Sequence, residues 1–118
     1  MSAQQVASRS PLKSVEFLVL AVLSDEPLHG YGIVQQIEKR TGGRVQLRPG
    51  DVYRVIYRLA DRGLLQEADR RADDAGDERR TYYGITAAGR ELAQDEAAML
   101  AEVSAGLVSK TAGQGGDR

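Results

Sequence analysis

The segment 48–63 constrains the fold more than any other part of the chain. Its apolar side chains recur at intervals of three and four residues, as one face of an α-helix requires: Val52, Val55, Ile56 and Leu59. Pro49 near the start and Gly63 after the end are residues preferred at helix boundaries. The pattern predicts a helix that buries one face and leaves the other for solvent or a partner.

The other face of this helix carries cations at four-residue spacing with aromatic rings beside them: Arg54, Arg58, Arg62, Tyr53 and Tyr57. Cations along one line suit the phosphates of a nucleic acid. An ordinary solvated face, with the arginines paired to Asp51 and Asp61, accounts for the same residues. The residues before and after this helix are needed to distinguish the two interpretations.

Composition predicts one small globular domain. The chain has 118 residues, of which 42% are hydrophobic and 28% charged, so its core is modest and association with a second copy would add stability. It has no cysteine, which excludes disulfides and thiol chemistry and fits the cytoplasm. The start does not resemble a signal peptide, and the apolar run 17–23 is too short to cross a bilayer. We expect a soluble cytoplasmic protein without membrane contact.

Charge is sorted along the chain, although the net charge is only −1. Between residues 40 and 62, six arginines stand against two aspartates. The later part of the chain is acidic, with Glu91, Asp95, Glu96 and Glu102. This distribution is typical of a protein in which one end meets phosphate and the other does not.

Two further helices precede the arginine-bearing one. The apolar run 15–23 fits a buried strand or a buried helix; Leu18, Ala21 and Val22 favour a helix that begins at Pro11 or Ser14. Residues 31–40 form a second amphipathic helix, which the glycines at 42 and 43 end. Three helices in succession therefore open the domain.

Two strands and a last helix follow. Residues 64–68 and 81–85 have β character, and the charged, turn-rich segment 69–80 between them predicts a hairpin with a long tip, or else a plain solvated loop. Thr86 is a candidate N-cap for a helix whose apolar residues recur at helical spacing: Leu92, Met99, Leu100, Val103 and Leu107. A partner subunit would bury this stripe, unless the helix folds back on the first one.

This order of elements predicts a mainly α fold with a small β-hairpin, namely a winged helix-turn-helix followed by a C-terminal dimerisation helix. The expected domains are a flexible tail (1–14), the DNA-binding domain (15–86), the dimerisation helix (87–110) and a disordered glycine-rich tail (111–118). In this arrangement the third helix enters a major groove and the hairpin tip contacts the backbone nearby.

Three segments, in order and at the proper spacing, resemble the PadR family of bacterial transcriptional regulators. They are 27–32 (Pro-Leu-His-Gly-Tyr-Gly), 49–54 (Pro-Gly-Asp-Val-Tyr-Arg, followed by Leu59 and Gly63) and 79–90, which matches the returning wing strand and the start of the dimer helix. The resemblance implies a homodimeric, ligand-responsive repressor with a single C-terminal helix. Two departures stand out: Asp51 replaces a small hydroxyl residue, and the chain lacks the tryptophan that drug-binding relatives use for stacking.

We expect each dimer to insert two copies of the third helix into successive major grooves of a pseudo-palindromic operator, with Asp51 as a structural cap. Tyr53, Arg54 and Arg58 are the leading contacts. Tyr57 lies beside them, and the remaining arginines would hold the phosphate backbone: Arg44, Arg48, Arg70, Arg71, Arg79 and Arg80. A small apolar effector is expected at the dimer seam near Phe17, Met99 and Val103, with Leu92, Leu100 and Leu107 in the same interface.

Other functions find little support in the residues. The chain offers no nucleophile with a base, no phosphate-binding loop and no ligand-spaced carboxylates, so we expect neither an enzyme nor a cofactor. His29 is the sole histidine and is expected to cap or hydrogen-bond rather than to bind a metal. A winged-helix module that binds proteins instead of DNA is the alternative, which the acidic balance and Asp51 keep open.

Three tyrosines outside the third helix carry packing predictions. Tyr31 is expected to pack at a helix start, and one of Tyr82 and Tyr83 to be exposed.

Overall fold

The computed structural model describes residues 11–69 and 80–116. Helices and strands follow in the order α1 (Ser14–Leu23), β1 (Leu28–His29), α2 (Gly30–Arg40), α3 (Pro49–Asp61), β2 (Leu65–Ala68), β3 (Tyr82–Ile85) and α4 (Ala87–Gly116). The strands form one antiparallel sheet in the order β1-β3-β2. The predicted mainly α fold with a wing hairpin is confirmed, and a short third strand is added to it.

The apolar run near the N-terminus is a helix, not a strand. Lys13 stands at its N-cap, and the Lys13 backbone N–H donates to Glu16 Oε1 at 2.8 Å, so a carboxylate satisfies a backbone donor at the start of the helix. Leu12 lies in the core, and its N–H contacts Glu96 Oε2 at 3.3 Å. The expected tail of 1–14 is therefore wrong at its end, because Leu12 packs on the domain. Residues 1–10 lie outside the described part.

The core lies where α1, α2 and α3 meet. Its largest fully buried members come from all three helices and from the turn after α3: Leu20, Leu23, Ile33, Ile37, Ile56, Leu59 and Leu64. Each such side chain contributes about 1.5–3 kcal/mol by leaving water. The stripe Val52, Val55, Ile56 and Leu59 is buried as its spacing predicts, so the opposite face of α3 is turned outward.

His29 starts α2. Its Nδ1 accepts a hydrogen bond from the Gly32 backbone N–H at 3.0 Å, as the prediction of a capping histidine requires. Gly42 and Gly43 follow the helix with φ angles of 61° and 83°, a region that side chains disfavour. The chain can therefore reverse there and deliver α3 across α1 and α2.

The sheet explains why both tyrosines of β3 are buried. The strand is central, paired with β1 at Leu28↔Tyr83 and with β2 at Glu67↔Tyr83. Tyr82 is additionally covered by the His29 ring, edge to face at 5.2 Å. The expectation that one of the two is exposed is wrong, because Tyr83 packs in the core while the His29 ring contacts Tyr82 on the other face of the strand.

Helix α4 begins on the domain and runs past it. Thr86 Oγ1 accepts from the Gly89 N–H at 3.0 Å and donates to the Gly63 carbonyl at 2.7 Å, so Thr86 caps the helix as predicted. Leu92 is buried in the core of the same chain; its assignment to a dimer seam is wrong, because the first turns of α4 pack on the domain. The helix continues to Gly116 instead of ending at 110, since extending a formed helix costs far less than nucleating one.

Candidate nucleic-acid interface

Helix α3 presents an exposed face on the side away from the core. Arg54 is its most exposed cation, with 78% of the side chain accessible, and Tyr57 is 59% exposed. Tyr53 is 37% exposed, less than Tyr57. An exposed guanidinium and phenol on one helix provide donors that can reach base edges or phosphates.

Asp51 lies in the first turn of α3 and forms an ion pair with Arg54. It is not the cap, because Arg48 occupies the N-cap and Pro49 starts the helix. Its carboxylate stands near the positive end of the helix dipole. The expected capping role is therefore wrong, and Asp51 instead sets the resting position of the leading cation.

Arg58 and Arg62 do not share the outward line of Arg54. Arg58 Nε lies 3.5 Å from Glu16 Oε2, and Arg62 Nη1 lies 3.8 Å from Glu16 Oε1. Within the described residues Glu16 is the one buried charged side chain. The role of Glu16 was not predicted, because this residue lies inside an apolar run and its charge is the only sign in the sequence that a cation must approach it.

Three tyrosines meet where α3 crosses the sheet. The Tyr53 ring passes so close to Gly30 that a Cβ there would stand 2.7 Å from the ring, and the Tyr53 and Tyr57 ring centroids are 6.2 Å apart. Burial raises the pKa of Tyr83, and Tyr57, Tyr53 and Glu67 raise it further. Tyr53 therefore packs α3 against the start of α2, and the rest of its ring is exposed on the outer face of α3.

The other predicted contacts are spread around α3. Arg44 and Arg48 are exposed in the connection between α2 and α3. Arg80, at the base of the wing, places Nη1 3.0 Å from His29 Nε2. Arg70, Arg71 and Arg79 lie outside the described residues. Tyr31 is 57% exposed rather than packed, because its position at the start of α2 points away from the core, and sequence reasoning did not place it on this surface.

A shallow groove of about 190 Å³ separates α1 from α4. Small side chains and one aromatic ring line most of it: Phe17, Ala21, Ser24, Ala93 and Ala97. Arg90 closes one end, where Nη1 donates to the Ser24 carbonyl at 3.2 Å. Phe17 lies in this groove, whereas Met99 and Val103 do not line it within one chain; the effector site stays a prediction.

Beyond the domain, α4 carries an uncovered apolar stripe. Its members are Met99, Leu100, Val103 and Leu107, with Val108 exposed on another side of the helix. Val103 is 70% exposed and Leu107 69%. Nothing in the described chain covers these side chains. The alternative in which the last helix packs on the first one is realised only in the first turns of α4, where Leu92 is buried.

The described residues meet neither the requirements of a metal site nor those of a membrane span. Residues 11–69 and 80–116 contain no group of three or more His, Cys, Asp or Glu placed to hold a metal ion. In the same ranges no helix combines the length and apolar character that crossing a bilayer needs.

Comparison with known proteins supplies the family. The model of the transcriptional regulator PadR-like family matches residues 19–95. A transcriptional regulator of Mycobacterium tuberculosis is 35% identical over 86% of this chain and 92% of its own length. An uncharacterized protein in a Streptomyces fradiae transposon is 37% identical over 75% of this chain, which spans only 24% of that protein.

A solved structure carries the same fold. The crystal structure of Bacillus subtilis PadR in complex with operator DNA matches with a TM-score of 0.59 and 19% identity, over 70% of this chain and 46% of that one. The family match covers the second half of α1, all of α2 and α3, the wing strands and the first turns of α4. The chain therefore belongs to the PadR-like family of transcriptional regulators.

Proposed function

We propose that this protein regulates transcription by inserting α3 into the major groove of an operator. The observation that carries the proposal is the exposed pair Arg54 and Tyr57 on a helix whose other face is buried. A relative of the same fold is described in complex with operator DNA, which supports this use of the surface. Arg44, Arg48 and Arg80 would hold phosphates around the groove.

Binding to DNA flanking the protein's own gene tests the proposal. The wild type should protect a discrete site in a footprint, and Arg54→Gln should need about tenfold more protein to protect it while the protein stays folded. Lys39→Gln removes the same charge from the last turn of α2 and should bind as the wild type does. If the wild type protects no site, a protein-binding winged-helix module becomes the better interpretation.

The proposed regulator is a homodimer joined through α4. The stripe of Met99, Leu100, Val103 and Leu107 is too apolar to be left in water along a helix that leaves its own domain. A second copy would cover it and set two α3 helices about 34 Å apart, one turn of DNA. The symmetry of the pair would then match a pseudo-palindromic operator.

Val103→Glu tests the dimer, because it puts a charge in the middle of the stripe. Sedimentation should show the mass of one chain for this variant and of two for the wild type. Val108→Glu is the matched control, since Val108 is equally exposed but lies on another side of α4. A wild type that sediments as a monomer would contradict the proposed assembly.

A small, largely apolar effector would bind between α1 and α4. The groove at Phe17 is smaller than the roughly 300–1,000 Å³ of typical ligand sites. We infer that the partner's α4 completes it, with Met99 and Val103 contributed at the seam. Ala97→Phe should fill the groove and abolish release from the operator by any inducing compound, while leaving DNA binding intact; an unchanged response would remove this site.

Repression, rather than activation or catalysis, is the mode we propose, acting in the bacterial cytoplasm where the operator lies. The exposed face of α3 and the uncovered apolar stripe of α4 both suit binding to a partner. Deleting the gene should raise expression from the neighbouring promoter. Lowered expression after deletion would instead identify an activator.

A further inference from the structure

One buried carboxylate joins α1 to the DNA-facing helix. The Glu16 side chain is 4% exposed and lies between Arg58 and Arg62, at 3.5 and 3.8 Å. A carboxylate withdrawn from water loses its hydration, so it needs cations and hydrogen bonds in return. Besides the two arginines, the Lys13 backbone N–H supplies one such bond at 2.8 Å.

Arg58 and Arg62 differ in how much of each side chain remains exposed beside Glu16. Arg62 is mostly covered, with 24% of its side chain exposed, whereas Arg58 retains 46%. Arg58 approaches Glu16 through Nε, and a guanidinium carries five N–H donors in a rigid plane. An ion pair at the Nε edge restrains the orientation of the guanidinium and leaves its terminal donors for another acceptor.

We propose that Glu16 is a positioning residue for operator recognition, which acts by orienting Arg58. The inference rests on the proposed function of α3 as the groove-reading helix. An arginine held in one orientation can match one arrangement of acceptors, and a freely moving one contacts any phosphate within reach. Glu16 thus contributes to sequence discrimination without touching DNA, because it lies beneath the helix.

Glu16→Gln, compared with a control of equal charge change, separates the effect of orienting Arg58 from the effect of net charge. It keeps the size of the side chain but adds one net positive charge, so affinity for random duplex DNA should rise. The ratio of operator affinity to random-duplex affinity should fall by about tenfold, the size of one well-oriented arginine contact. Asp61→Asn is the matched control: it adds the same charge at the exposed end of α3 and should keep the ratio.

Equal ratios in the two variants would overturn the inference and leave the proposed function standing. A wild type that binds no operator would overturn the proposed function, and this inference with it. When Arg58 is already replaced by Gln, Glu16→Gln should not lower the ratio of operator affinity to random-duplex affinity any further, since Glu16 acts by orienting Arg58. An additive loss there would also overturn the inference.

A measurement on the wild type does not depend on the stability of any variant. The Arg58 Nε–H should exchange with solvent more slowly than the Arg54 Nε–H in NMR spectra of the free protein, because a buried carboxylate holds the former. Equal exchange at Arg54 and Arg58 would show that Glu16 does not hold the guanidinium in solution, and would overturn the inference.

Discussion

The buried carboxylate of Glu16 depends on Arg58 and Arg62 to compensate its charge. Glu16 is buried, so removing a neighbouring cation leaves a charge with too few partners. Arg62 is the more covered of the two cations. Arg62→Met should lower the free energy of unfolding by about 1–3 kcal/mol, measured by urea denaturation.

The control for Arg62→Met is Arg54→Met, whose ion pair with Asp51 is exposed. Exposed pairs contribute little because water screens them, so this variant should change stability by less than about 1 kcal/mol. Equal losses in both variants would show that burial of Glu16 is not what gives Arg62 its effect.

Tyr83 makes stability depend on alkaline pH. Its pKa is raised by burial, with Tyr57, Tyr53 and Glu67 adding to the shift. A pKa that is higher in the folded state favours the protonated phenol there, so this contribution is fully present below the ordinary value near 10 and is lost as pH rises through the folded pKa. Tyr83→Phe should flatten the decline of thermal stability above that pH, and Tyr31→Phe, at an exposed position, should not.

The helices differ in how far their sequences reveal their roles. The spacing of Val52, Val55 and Ile56 is enough to place α3 and to identify its buried face, because helical periodicity is a local property. The arginine partners of Glu16 cannot be predicted in this way, since they lie more than forty residues away and meet it only after folding. The same holds for β1, whose two residues become a strand solely by pairing with Tyr82 and Tyr83.

The packing of α4 on the domain requires a glycine at position 89. A Cβ on Gly89 would stand 1.9 Å from the Leu64 carbonyl oxygen and 3.0 Å from Ile85, so the helix could approach the turn after α3 only with glycine there. Gly89→Ala should lower the free energy of unfolding by about 1–3 kcal/mol as α4 is pushed away.

Gly50 offers the contrasting substitution. No atom lies within 4 Å of a Cβ built there, and its φ is not positive. Gly50→Ala should therefore raise stability, by about 0.4–1 kcal/mol, because alanine has fewer unfolded conformations to lose. Loss of stability at both positions would indicate that the close approach at Gly89 is not the cause. Thermal melts of the two variants, compared with the wild type, decide the matter.

For the molecule as a whole, a net charge of −1 sets how it can bind DNA. Its cations are gathered around α3 and the turn before it, while α4 is acidic, so affinity must come from a localised surface and not from overall attraction. If that surface neutralises about six phosphates, the logarithm of operator affinity should fall with the logarithm of salt concentration with a slope of about −5.

Removing one contributing cation should change that slope by a definite amount. Arg54→Gln should make it shallower by about 0.9, whereas Lys39→Gln, on α2, should leave it unchanged. Fluorescence anisotropy of a labelled operator between about 50 and 200 mM salt measures both. A flat dependence in the wild type would mean that the arginines around α3 are an ordinary solvated face, the interpretation that the sequence by itself left open, and α3 would then have to recognise something other than phosphate.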